Sequence, residues 1–319
     1  MRPVRAPGRA RQAGLALLLL LPALPGHAQE FFADALQALR DSDIDFQRGE
    51  SNAPFVPVAS LSTRLYDEGR LVDGRDNTVL EFEQRTVSAS ALLPLHIGQR
   101  DALFSGAWVS RSTFETDEPS ADDFSVASVG LPLGWLRQVD EQWQAAAFIM
   151  PLGHRSTQNN ANWSLQTMGG AFARYLHSDR LWWAVGLFVD SGPKERYALP
   201  YAGASWIINP RWTLSAVMPW PAVLYAPTQD WLFRLGAAPA GATWTVQPGD
   251  DDIAVNLDTW NFGLTAERHL AGSAWVALEA GVGGLRGVRL NADRADFDGG
   301  DISVGSSGYL ALSLRLRAR

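Results

Sequence analysis

The sequence predicts an all-β protein: a closed antiparallel transmembrane β-barrel of about 14 strands, preceded by a cleaved leader. Three observations predict it. Beyond the leader no apolar run is long enough to cross a membrane as a helix, which takes about 20 residues, whereas a tilted membrane strand needs only about 9–11. From Phe55 onward polarity alternates with a period of two. The connections between the alternating segments switch between short and long, as the turns and loops of a membrane barrel do.

The elements follow in chain order. Residues 1–28 read as a signal peptide, with Arg2, Arg5, Arg9 and Arg11 as its positive start, Gly14–Leu24 as its apolar centre and Gly26-His27-Ala28 as its cleavage site. Cleavage after Ala28 leaves 291 of the 319 residues. Residues 29–54 form a periplasmic lead-in. Within it, Phe31, Phe32, Ala35, Leu36 and Leu39 share one helical face, so this stretch reads as a short helix or a frayed terminus. The barrel domain covers 55–319.

Its strands are expected at 55–66, 79–95, 102–114, 124–136, 142–152, 164–177, 181–190, 197–208, 212–218, 231–238, 242–247, 258–269, 274–288 and 305–317. The last is the cleanest: Leu310, Leu312, Leu314 and Leu316 alternate with Tyr309, Ser313, Arg315 and Arg317. In 274–288, Ala274, Val276, Leu278, Ala280 and Val282 oppose Glu279 and glycines. Each apolar row suits lipid, and each polar or small row suits a lumen. In 181–190 Trp182 and Phe188 fall on the inner face. In 79–95 Glu83 and Arg85 share the face of Val87, Ala89 and Ala91, which requires them to lie outside the hydrocarbon band.

Short connections are expected at 96–101, 137–141, 178–180, 209–211, 239–241 and 270–273, with longer polar loops between them, among them 67–78 and 219–230. Both termini then lie on the short-turn, periplasmic side. Merging 231–247 into one strand and demoting one weak flank gives 12 strands instead.

Composition narrows the function. The chain has 27 basic and 34 acidic residues, and the four leader arginines reduce the basic count to 23, a balance of −11. No nucleic-acid partner is expected of such a surface. Cysteine is absent, which excludes a disulfide scaffold and a lipid-anchored cysteine. Thirteen tryptophans suit a membrane–water boundary, although a Trp-rich soluble β-sandwich is the alternative. The loops carry Asp67-Glu68, Glu115–Glu118, Asp122-Asp123, Asp250–Asp252 and Asp293–Asp301 clusters, which read as solvated surface, or as sites for calcium or magnesium-bridged lipopolysaccharide phosphates. Neither cofactor nor metal is expected: five dispersed histidines form no ligand set, and the glycine pairs lie in strand-like context.

Candidate lumen-lining residues are Gln166, Arg174, Asp190, Thr259, Asn261, Thr265, Glu267, Glu279 and Arg286. Their mixed charges suggest either a selectivity region of a narrow small-solute channel or a plug. An outer-membrane lipid hydrolase is the enzymatic alternative, for which His154 and Ser156 are the nearest pairing, two apart in an expected loop and with no third group to orient them; no catalytic residue is assigned. An adhesin or anchor using the acidic loops is a third reading. Outer-membrane lipids, lipopolysaccharide, the barrel-assembly machinery and a small solute are the expected partners, in a Gram-negative outer membrane.

One region resembles a family of uncharacterised bacterial outer-membrane barrels. The resemblance rests on Leu199–Trp206, Asn209–Leu214, Met218-Pro219 with Tyr225, and Phe262-Gly263-Leu264, Leu278–Gly281 and Leu285–Val288. It implies a barrel in the outer membrane and carries no catalytic residues. The chain departs from the common barrel ending by closing on Leu316-Arg317-Ala318-Arg319 rather than on an aromatic residue.

Overall fold

The computed structural model describes residues 38, 41–44, 50–73, 79–117, 122–158, 162–192, 195–246, 253–292 and 302–317. The leader at 1–28 and all of the expected helix at 30–40 except Ala38 lie outside the described residues. Sixteen strand segments build one antiparallel sheet. They are β1 (Pro57–Asp73), β2 (Val79–Ile97), β3 (Asp101–Glu115), β4 (Phe124–Gly130), β5 (Leu133–Gln138), β6 (Trp143–Ser156), β7 (Ser164–Ser178), β8 (Leu181–Gly192), β9 (Glu195–Asn209), β10 (Trp212–Val217), β11 (Ala222–Thr228), β12 (Trp231–Val246), β13 (Ile253–Ala271), β14 (Ala274–Ala292), β15 (Ile302–Val304) and β16 (Ser307–Arg317).

The segments amount to 14 wall strands. β4 and β5 both pair with β3 and β6 and are one strand interrupted at Leu131-Pro132. β15 and β16 both pair with β1 and β14 and form the last strand. The ring closes where Pro57–Tyr66 of β1 pairs with Tyr309–Arg317 of β16. Closure leaves no free edge along this seam, which is what an apolar solvent demands of a sheet.

The count of 14 agrees with the expectation, but two segments differ and offset each other. The expected loop 219–230 contains β11, and the expected strands 231–238 and 242–247 are one strand, β12. Pro239 and Gly241 look like a turn by their chemistry, yet they lie inside β12, and the turn is Gln229-Asp230. Several strands also outrun their expected ends. β1 reaches Asp73, so Asp67-Glu68 belongs to a strand. Polar residues leave the hydrocarbon but keep their backbone ladder.

The two faces sort as alternation requires. On β16, Ser307, Tyr309, Ala311, Ser313 and Arg317 are buried inside, and Leu310 on the other face is exposed. On β2, Glu83 and Arg85 face outward and are exposed, with Gln84 buried between them. The interior is polar, and hydroxyls pair across strands at Ser60–Ser90 (2.8 Å), Ser62–Ser88 (2.9 Å) and Thr86–Ser112 (2.9 Å). Near the short turns, Trp143, Trp183, Trp206, Trp212 and Trp231 stand exposed on the outer face, forming an aromatic belt. Tyr175 lies against Trp143 and Tyr225 against Trp212, with ring centroids 4.9 and 4.5 Å apart.

Candidate functional site: an aromatic lumen wall beside a notch

The lumen side of β6–β9 is aromatic. Phe148, Phe172, Phe188 and Tyr201 all point inward and are half-buried. Phe148 stacks on Phe172 at 6.0 Å, Phe172 meets Tyr201 edge-on at 4.8 Å, and Phe188 adjoins Phe148 and Tyr197. Met150 and Met168 face each other in register beside them. Room for the Phe172 ring comes from Gly170 and Gly186: a Cβ on either would approach that ring to 2.7 or 2.6 Å. Of the four rings the sequence placed only Phe188 on the inner face, while Tyr201 entered through the resemblance and Gly170 as one of the glycine pairs. The signal for the rest was present as inward parity, but aromatics on a lumen face contradict the simple rule of oil outside and water inside.

Above this wall runs a chain of polar side chains over successive strands. His154 Nδ1 lies 2.8 Å from Ser128 Oγ, and its Nε2 lies 2.9 Å from Gln166 Oε1. Gln166 Nε2 donates to both carboxylate oxygens of Asp190 at 2.8 Å, and Tyr197 donates its hydroxyl to Asp190 at 3.1 Å. With the Gln166 amide donating to Asp190, its carbonyl accepts from His154 Nε2–H, and Nδ1 accepts from Ser128 (a tautomer assigned from the network). His154 and Ser156, the nearest pairing for the hydrolase alternative, are thus not bonded to each other. The loop expected at 153–163 is corrected, since both lie within the last three residues of β6, and Ser156 Oγ pairs with Gln158.

The wall next to β9 is incomplete. β10 and β11 have only six and seven residues. β10 pairs with β9 only up to Val217↔Gly203, and β11 pairs with β12 only from Ala222↔Gly236. Among the described residues, no strand pairs with that flank of β9 over 195–202 or of β12 over 238–246, and Ala237 N–H donates to Pro221 O at the floor of the gap. Pro200 and Pro239, each lacking an N–H, sit in these two unpaired stretches, where a proline forfeits no ladder bond on the open side. The result is a notch whose floor is the Met218–Pro221 turn. At about 2.5 Å of height per tilted residue, β10 carries that floor to roughly 15 Å above the short turns. Outside and below the notch, Leu214, Ala216, Val223, Leu235, Phe262 and Leu264 border an apolar depression of about 540 Å³.

The missing wall has gone into the lumen. The outer halves of β12 and β13 fold across to β4 and β6 on the far side, and Trp244 Nε1 donates to Gln158 Oε1 at 3.2 Å. Ala254, Val255, Asn256 and Leu257 are all buried, so both faces of this stretch are covered. Trp244, Val255 and Leu257 pack with Phe114, Val126 and Val304, which closes the long-loop end with apolar side chains. Trp244 lies 5.8 Å from Phe114 and 5.5 Å from Phe124.

The described residues of the lead-in bond the rim of the short-turn end at separate places. Asp43 N–H donates to Gln99 O, and the carboxylate of Asp43 lies 3.5 Å from Arg100 on the β2–β3 turn. Glu50 pairs with Arg180 on the β7–β8 turn at 2.6 Å. Asn52 bonds Pro210 O and Ala226 O, and Ser51 Oγ lies 3.3 Å from Thr213 Oγ1. These anchors lie on opposite sides of the ring. The described residues 41–44 and 50–54 that make these anchors are termed the strap.

The expected lumen residues divide into two groups. Gln166 and Asp190 belong to the His154 chain, whereas Arg174 stands apart from it near the short turns, in register with Gln144, with its guanidinium 5.1 Å from the Trp182 ring and 3.0 Å from Gln144 Oε1. Asn261, Thr265, Glu267 and Glu279 belong to a network beside the closing seam, and Thr259 is buried on the same face of β13. Tyr66 donates to Asn261 at 3.1 Å, Thr265 to Glu279 at 3.1 Å, and Tyr309 to Glu279 at 2.7 Å. Glu267 takes Arg315 on one oxygen and Arg317 on the other, the latter at 2.7 Å. The side chain of Arg286 lies outside those described. Among the described residues no three histidines or acids come together as a metal-binding group.

No family model and no curated protein matches the chain. Among solved structures it is similar to a TodX monoaromatic hydrocarbon channel deltaS2 mutant, at 9% identity and a TM-score of 0.48, covering 82% of this chain and 90% of that one. It is also similar to a Pseudomonas aeruginosa FadL homologue, at 13% identity and 0.41, covering 81% and 90%. A third is an outer membrane channel from Pseudomonas putida F1, at 13% and 0.39, covering 86% of this chain and all of that one. These are all membrane β-barrels by fold.

Proposed function

We propose that the protein is an outer-membrane channel that passes small apolar solutes between its lumen and the surrounding hydrocarbon through the notch between β9 and β12. The observation that carries the reading is the early end of β10 at Val217 and the late start of β11 at Ala222, which leaves two facing strand edges unpaired. In hydrocarbon an open edge is tolerated only where it borders protein or a water-filled cavity. With short turns on the periplasmic side, the notch opens in the outer half of an apolar band about 25 Å tall. Axial passage is opposed at both ends, by the Trp244 cluster and by the strap. The aromatic wall of Phe148, Phe172, Phe188 and Tyr201 leads to the β9 edge, and Leu199 stands on the lumen face of that edge with 52% of its surface exposed. A lumen built to admit only ions or sugars has no need of such a surface. Gln166, Arg174, Asp190, Thr259, Asn261, Thr265, Glu267 and Glu279 then serve as braces of the wall, and the solute rides on the aromatics.

The test compares cells that make the protein with cells that do not, using an apolar dye that fluoresces in membranes and a hydrophilic β-lactam read by a periplasmic enzyme. The dye is expected to enter several-fold faster with the protein, and the β-lactam at an unchanged rate. Leu199→Arg is expected to return dye entry to the background while the folded barrel keeps its heat-modifiable gel mobility. Equal dye entry in the parent and Leu199→Arg overturns the lateral route. Faster β-lactam entry replaces it with an axial pore.

A further inference from the structure

The outer surface across the barrel from the notch carries an unbalanced charge. Successive register rows of β2, β3, β4 and β6 change character toward the long loops. The row Ala89, Val109, Val129 and Gly153 is apolar. The next is Val87, Arg111, Ala127 and Arg155, and the one after it is Arg85, Thr113 and Ser125. Arg85, Arg111 and Arg155 point outward and are exposed. Arg111 donates to Ser125 Oγ at 3.0 Å, and among the described residues none of the three has an acidic partner.

We infer that Arg85, Arg111 and Arg155 form a site for the phosphate-bearing headgroup of an outer-leaflet membrane lipid. The inference rests on the orientation proposed above and not on the transported solute. Three features carry it. The first is depth: Arg111 stands ten residues above Asp101, Arg155 twelve above Trp143 and Arg85 twelve from Ile97. At about 2.5 Å of height per residue this places them roughly 25–30 Å above the short turns, at the rim of the apolar band. The second is shape: Arg111 and Arg155 flank Ala127 in register, about 10 Å apart across two strand spacings, and the methyl group leaves the space between them open. The third is chemistry: guanidinium forks match phosphate oxygens and are held at headgroup depth by long apolar stems.

Trp163 lies over Gly153 on the same face, next to Arg155, as an interfacial aromatic ring would. One row further out, Glu83 and Glu115 face each other in register. They repel a phosphate and so bound the site from above.

The experiment uses the full-length protein in a maltoside detergent with EDTA, so that cation bridging is silent. Binding of diphosphorylated lipid A is compared with binding of the same lipid stripped of its phosphates. The parent is expected to favour the phosphorylated form by about 10-fold or more. The variant R85Q/R111Q/R155Q is expected to lose that preference while keeping its folded gel mobility and its dye uptake. Should the triple variant misfold, R111Q/R155Q is expected to lose most of the preference. A preference that survives in the folded variant overturns the site, as does a parent that binds both lipids alike. Complete displacement of the lipid by millimolar inorganic phosphate also overturns it, because the site would then be one for a free anion.

Discussion

Glu267 is 1% exposed and holds Arg315 and Arg317 on its two oxygens, while Arg317 also donates to Phe55 O and lies under the Trp275 ring. Removing this carboxylate leaves two cations facing each other near the seam where the first and last strands meet. Glu267→Ala is expected to destabilise the barrel by about 3–5 kcal/mol, the usual cost of stranding one side of a buried ion pair. Urea unfolding in detergent checks it, and a shift below about 1 kcal/mol would reduce the pair to decoration. Gly186 makes the same kind of argument for the aromatic wall. A methyl group there would approach Ala171 O to 2.3 Å and the Phe172 ring to 2.6 Å. Gly186→Ala is expected to cost about 1–3 kcal/mol by overpacking and to slow dye uptake by turning the Phe172 ring. Parent-like stability together with parent-like uptake would mean that the ring has another place to go.

At the scale of elements, the Trp244 cluster and the strap are the two pieces proposed to oppose axial passage, and each predicts its own phenotype. Shortening Trp244 removes the ring that meets Phe114 and Phe124 and bonds Gln158. Trp244→Ala is expected to loosen the folded-in halves of β12 and β13 and raise single-channel conductance in planar bilayers. The strap depends on Glu50–Arg180 and on Asn52. Glu50→Ala with Asn52→Ala is expected to raise conductance as well, mostly at high salt, where screening weakens the Asp43–Arg100 pair that is left. Unchanged conductance in both variants would place the resistance elsewhere along the lumen.

The strands also explain which elements were readable. The final strand and 258–269 were legible because one face meets lipid along its whole length, so alternation is strict. β11 was hidden in Ala222–Thr228 because Pro221 before it and Pro227 within it resemble loop chemistry. β12 was cut in two for the same reason, at Pro239. At Pro239 the ordinary meaning of proline is overridden by an open strand flank, and at Pro227 by the register shift between Tyr225 and Thr228, both tertiary circumstances.

For the molecule as a whole, the alternation of short and long connections and the inward direction of Thr259, Asn261, Thr265, Glu267 and Glu279 follow from local rules, whereas the count of 14 agreed only because the hidden β11 and the divided β12 offset each other. Each residue needs to know only whether its own face meets hydrocarbon, and a period of two records that in any short window. The notch, the folded-in lid and the strap depend on which distant segments meet: β12 with β6, Glu50 with Arg180, Ser128 with His154 and Gln166. Such meetings depend on where a six-residue strand stops relative to neighbours dozens of positions away, and on how a barrel with a gap in its wall settles. Those are properties of the closed sheet, whose packing no window along the chain contains.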